Sequence, residues 1–223
     1  MRTLVVAPHP DDELLGCGGT LIRRSLEGGT TGWLLMTSIR EDRGWDTELV
    51  MQRSDEIDQV RRGLHIASEH LYSLDFPTAN LDQFSMNNLV GRISAVFKDF
   101  QPEEVLLPHP GDVHSDHRVT FEAASACTKW FRYSSVRRVM TYETLSETEF
   151  GINPIEREFR PNYFIDISEH LDAKLRLLNI YESELGSHPF PRSLESIRAL
   201  AFLRGSQIGA QASEAFQVLK QIE

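Results

Sequence analysis

The sequence predicts an α/β fold built on a mostly parallel sheet covered by helices on both faces. Three observations predict it. Short, continuous apolar runs recur along the chain, longer segments with helical apolar spacing separate them, and two charged clusters each follow an apolar run directly.

Taken in order, "TLVVAP" (3–8) reads as a first strand, fully apolar and rich in β-branched residues. "TTGWLLMTS" (30–38) reads as a second, "HLYSLDF" (70–76) as a shorter third, and "EVLLPHP" (104–110) as a fourth. "VRRVMTYET" (136–144) and "NYFIDIS" (162–168) are later strands. Residues 13–28, 47–64, 86–100 and 117–133 carry helical spacing. Two C-terminal helices are expected at about 169–185 and 192–205, with Ser168 and Ser193 as N-caps and "GSHPFPR" (186–192) as the loop between them. The alternation defines a Rossmann-like architecture with appended C-terminal helices. The 223 residues suffice for one domain spanning 1–223.

Composition narrows the function classes. A formal net charge of -10 argues against nucleic acid or an anionic membrane as the main partner, since both need basic surface. The two cysteines, Cys17 and Cys127, form no CxxC pair, so a reducing, cytoplasmic setting is expected. No apolar run approaches the ~18 residues of a membrane span, and the first residues do not read as a signal peptide.

The chemistry sits in two places. "PHPDDELLGCGG" follows the first strand, and "HPGDVHSDHR" follows the fourth. In open α/β sheets, ligands bind beyond the carboxyl ends of strands, so both clusters fall where the architecture puts a site. His9, Asp11, Asp12 and Glu13 crowd an imidazole and three carboxylates into five residues. A cation relieves that like-charge repulsion. His9 and Asp12 can face one ion across the turn opened by Pro10, and a third ligand must come from His109, Asp112, His114, Asp116 or His117. Two His and one carboxylate with open positions suit metal-assisted hydrolysis, with a neighbouring carboxylate as base. Asp11 and Asp12 would split those roles. The "GCGG" stretch is not a dinucleotide fingerprint, because the third glycine would fall at Leu21. It suggests tight helix–sheet packing instead.

Together the two motifs resemble the LmbE-like, or PIG-L-type, metal-dependent N-deacetylases. Weaker similarity runs through "QRSDEI" and "HPFPRSLESIRALAFLRG". The resemblance implies zinc held by His9, Asp12 and His117, with another divalent ion such as ferrous iron left open. It implies Asp11 as general base on the zinc-bound water, His114 as oxyanion stabiliser or proton donor to the amine, and Asp116 as the carboxylate orienting a histidine. It implies loss of an N-acetyl group from an N-acetylglucosamine-like conjugate, giving a free amine and acetate. Many relatives carry Thr-x-Gly-Glu after the second strand; this chain has "TSIREDRGW", which leaves substrate identity open. Arg53, Arg40, Asp112 and His188 are the candidate substrate contacts, and Trp45 the candidate for stacking on a sugar face. Trp33 and Trp130 are expected in the core, Trp130 alternatively at an interface of a homo-oligomer. A non-haem iron oxygenase also uses two His and one carboxylate, but its usual His-x-Asp/Glu spacing differs from the His-x-x-Asp here. Another amide hydrolase is the second alternative.

Overall fold

The computed structural model describes residues 1–152 and 158–223. Its strands are β1 (Arg2–Ala7), β2 (Thr30–Ser38), β3 (Leu71–Pro77), β4 (Glu104–Pro108), β5 (Arg138–Tyr142), β6 (Tyr163–Asp166) and β7 (Ser213–Gln221). Its helices are α1 (Asp12–Leu26), α2 (Thr47–Gly63), α3 (Met86–Phe100), α4 (Ser115–Ser125), α5 (Leu171–Leu178) and α6 (Leu194–Ser206). Among the described residues the strands form one mixed sheet in the order β3-β2-β1-β4-β5-β7-β6. The first five run parallel, and β7 is antiparallel to both β5 and β6.

Strand alternation divides the core into two layers. Val5 and Ala7 face the layer that receives α1, the end of α2, α5 and α6, whereas Leu4 and Val6 face the layer that receives α3 and α4. Both faces are therefore covered, which is why β1 and β4 read as unbroken apolar runs. Trp33 is fully buried in the first layer.

One strand goes unread in the sequence, and three expectations are corrected. β7 had no counterpart in the sequence reading. Its buried Glu214 hides the strand pattern, but that carboxylate accepts the backbone N–H groups of Gly19 (2.9 Å) and Thr20 (2.7 Å) and pairs with buried Lys174 at 2.7 Å. The Lys174 ammonium also donates to the Leu15 carbonyl at 2.9 Å. These contacts straddle the break in α1 at Cys17, where backbone angles leave the helical region. The fourth helix stops at Ser125 rather than 133, and Trp130 is 68% exposed rather than buried. Ser193 caps α6 by accepting from Ser196 N–H at 3.1 Å, but Ser168 does not cap α5. Its hydroxyl is held by Asp166 and by the backbone N–H of Ala212.

The glycines of α1 have a packing reason. A Cβ at Gly16 would lie 2.2 Å from the Tyr142 ring, and one at Gly19 would lie 2.8 Å from Ile167. Side chains there would push α1 off the sheet, and with it the charged turn that α1 begins.

Candidate active site

β1 and β4 are neighbours in the sheet, and successive strands are added outward in opposite directions from them. This is the topological switch point of the fold, the usual place for a ligand crevice. Both charged clusters emerge there.

The first cluster is a strained turn. Asp11 has φ 117, a conformation rare outside glycine, and is 3% exposed. Its carbonyl accepts the N–H groups of Leu14 (2.9 Å) and Leu15 (2.8 Å). Its own N–H donates to Glu13 Oε2 at 3.1 Å, and Tyr181 Oη donates to Glu13 Oε1 at 3.3 Å. Buried Glu13 thus braces the Asp11 peptide from below. Burial, and then the charge of Asp11, pushes the Glu13 carboxyl well above the ordinary range.

The second cluster opens α4. His114 is the N-cap of α4: its Nδ1 accepts the Asp116 N–H at 3.1 Å. The hydrogen of neutral His114 must then sit on Nε2. Asp116 accepts the N–H groups of Ala79 (2.7 Å) and Leu81 (3.0 Å) and holds His9 Nε2 at 3.0 Å. Asp112 holds His117 Nδ1 at 2.8 Å and accepts the Thr148 hydroxyl at 2.7 Å.

These outer contacts leave His9 Nδ1 and His117 Nε2 converging on Asp12 Oδ2, at 3.4 and 3.3 Å. The three ligand atoms lie within 4.8 Å of one another. Bonds of about 2.0–2.1 Å in a tetrahedron put ligand atoms about 3.3 Å apart, which the two distances to Asp12 match, so the donor set suits a zinc-sized ion. A second group, His9, His114 and Asp116, also clusters, but there the carboxylate is already committed to two backbone N–H groups and to His9. Burial alone would lower the His9 pKa, yet hydrogen bonds to Asp116 and Asp12 outweigh it and raise it to about 9. His117 is likewise raised against burial by Asp12 and Asp112. Asp12 is driven down, against its burial, chiefly by His117. Such mutual stabilisation marks a site in which the imidazolium protons occupy the place of a cation.

A cleft of about 390 Å³ opens over this group, lined by His9, Asp11, Asp12, His114 and His117 among others. Trp45, 41% exposed, and Arg53 also line it. The remaining substrate candidates lie elsewhere. Asp112 is buried behind His117, facing the histidine and not the cleft. Arg40 is exposed in the loop after β2, paired with Asp42 at 3.1 Å. His188 is exposed and does not line the cleft, whereas Arg192 of the same loop does.

Arg192 lines the cleft and is one of two cleft residues that the sequence reading did not single out. Its Nη1 donates to Asp11 Oδ2 at 2.9 Å and lies 3.6 Å from Glu184. Glu184 in turn pairs with Arg53, which also contacts Glu56 at 3.3 Å. One cleft wall is therefore an alternating line of charges running from Glu56 to Asp11. Glu147 was also missed. It lines the cleft and accepts the His114 N–H at 3.1 Å. Arg192 sits in the "HPFPRS" stretch already noted for its similarity, which could have pointed to it, whereas nothing local in the sequence signals Glu147.

An α/β sheet with an open two-His, one-carboxylate group at its switch point, and a further buried carboxylate beside that group, defines a metallohydrolase-type centre. The chain belongs to the PIG-L family, described as GlcNAc-PI de-N-acetylase, whose profile matches residues 4–128, more than half of its length. It is 25% identical to the diacetylchitobiose deacetylase of Thermococcus kodakarensis over 97% of this chain and 82% of that one. It is also 25% identical to the 1D-myo-inositol 2-acetamido-2-deoxy-alpha-D-glucopyranoside deacetylase of Mycobacteroides abscessus, over 82% of this chain and 81% of the relative. Among solved structures, a conserved protein of Thermus thermophilus superposes with a TM-score of 0.78 at 27% identity, covering 99% of this chain and 95% of that one. Among the described residues, no helix is long and apolar enough to cross a membrane.

Proposed function

We propose that this protein is a zinc-dependent hydrolase that removes an N-acetyl group from an N-acetylglucosamine-like conjugate. The observation that carries the reading is Asp11. It is a buried carboxylate outside the ligand group, opening on the same cleft and anchored by Arg192. Burial, with Asp12 adding to it and Arg192 opposing it, raises its pKa to about 7, the range suited to a general base. His9, Asp12 and His117 would hold the metal, and a bound divalent ion lowers the pKa of water and polarises a carbonyl.

The chain's own residues do the rest in this reading. Asp11 takes the proton of the attacking water through the oxygen not engaged by Arg192. His114 offers Nε2–H to the carbonyl oxygen as negative charge develops there, the kind of donor often worth about 2.7–4 kcal/mol. Burial, followed by the nearby His9, lowers the His114 pKa, so it acts as a neutral donor. Asp11 then returns its proton to the departing amine, and acetate and free amine are the products. Asp116 and Asp112 fix the rings of His9 and His117, while Trp45 and Arg53 flank the sugar.

The buried, unpaired Cys17 and Cys127 support a cytoplasmic setting, and the continuous sheet supports reading 1–223 as one domain. The test is acetate release from a panel of N-acetylated sugars after chelation and restoration of zinc or anaerobic ferrous iron. Metal-dependent acetate from a member is the expected result. No acetate from any, with one equivalent of metal bound, would overturn the reading.

A further inference from the structure

A second chamber of about 360 Å³ adjoins the cleft, between α2 and the strands β2 and β3. It shares Pro10, Ser38, Ile39 and Arg53 with the cleft, so the two spaces adjoin along a common rim. Each has the volume of a small ligand pocket. The chamber exists because the first half of α2 stands off the sheet. Only Glu56 and Val60 of that helix are buried, and Val50, Ser54 and Ile57 face a gap at helical spacing. Leu35 and Leu71 complete an apolar floor. Arg53 stands on that rim, with its guanidinium bonded to Ser183 and Glu184, which line the cleft.

The charges argue against an anionic occupant. Every arginine lining either space is already held by two carboxylates: Arg40 by Asp42 and Asp75, Arg53 by Glu56 and Glu184, Arg192 by Asp11 and Glu184. Asp58 and Asp75 also line the chamber, so an anion entering it meets like charge. We propose that the chamber receives an uncharged apolar group, aryl or alkyl, joined to the amino sugar whose acetamide is hydrolysed. This rests on the deacetylase reading above and adds the substrate's second half.

The experiment compares N-acetylglucosamine, its phenyl glycoside and its 1-phosphate as substrates of the zinc-loaded protein. The phenyl glycoside is expected to show a KM lower by about tenfold or more, and the 1-phosphate no gain over the free sugar. Ser54→Trp, at an exposed helix position, fills the chamber and should cut the phenyl advantage to about threefold or less. A lower KM for the 1-phosphate than for the phenyl glycoside overturns the proposal. So does an absent phenyl advantage, or one that survives Ser54→Trp. If none of the three releases acetate, the deacetylase reading fails by itself. The chamber is then judged by calorimetry with phenyl glucoside, where binding that Ser54→Trp abolishes supports it and any other result overturns it.

Discussion

Asp112→Ala tests how the site is built. Asp112 is buried against His117, and its two oxygens hold His117 Nδ1 at 2.8 Å and the Thr148 hydroxyl at 2.7 Å. The first bond fixes which His117 nitrogen faces Asp12 and the cleft. Removing it frees the ring and the tautomer, and loss of such an outer partner costs about 10–100-fold in metal affinity. That is about 1.4–2.7 kcal/mol. Thr148→Val removes the second bond, together with the one its hydroxyl accepts from the Thr144 N–H at 2.8 Å, but leaves the bond to His117, so it should change affinity by less than about threefold. Zinc affinity would be measured by competition with a chromophoric chelator at pH 7, on variants whose circular dichroism shows a folded chain. A zinc Kd for Asp112→Ala within about twofold of the parent would refute the reasoning that Asp112 positions a ligand.

Two other outcomes follow from the buried charges. His9, raised to about 9 from 6.5, contributes stability to the metal-free chain below pH 6.5 that is lost as pH rises through 9; Asp11, raised to about 7 from 3.8, contributes stability below pH 3.8 that is lost as pH rises through 7. The metal-free protein should therefore lose thermal stability steadily toward pH 9, while its apparent zinc affinity rises by at least about tenfold per pH unit as His9 and His117, both raised, give up their protons; a zinc affinity flat between pH 6 and 8 would contradict this. Lys174→Met strands the Glu214 carboxylate in the core at the break in α1, and urea unfolding should show a loss of about 3–5 kcal/mol. A loss under about 1 kcal/mol would mean the pair does not hold the break.

The parts of the fold legible in the sequence are those where local pattern and burial agree. β1, β2 and β4 are covered on both faces and read as apolar runs, and Ser193 caps α6 because a cap needs only its own neighbouring N–H groups. β7 was hidden because Glu214, at its buried end, answers to Thr20 of α1 and to Lys174, which lie 194 and 40 residues away along the chain. The same distinction runs through the site. His9 and Asp12 are legible as a pair in one turn, the second cluster is legible as the source of a third ligand, and the resemblance singles out His117; the structure brings the three ligand atoms together because the two motifs follow adjacent strands. Arg192 and Glu147 were not singled out, since a loop's contribution to a cleft depends on where the fold returns it. Asp112 shows that spacing can find a chemical residue type while leaving its direction undecided.

The central claim is that Asp11 is the base beside a metal it does not bind. The measurement that tests it most directly is Asp11→Asn, assayed for bound zinc and for acetate release on the best substrate of the panel. The variant should hold one equivalent of zinc, as the parent does, with a kcat lower by about 10²–10⁴-fold. Zinc retained with kcat within about threefold of the parent would contradict it.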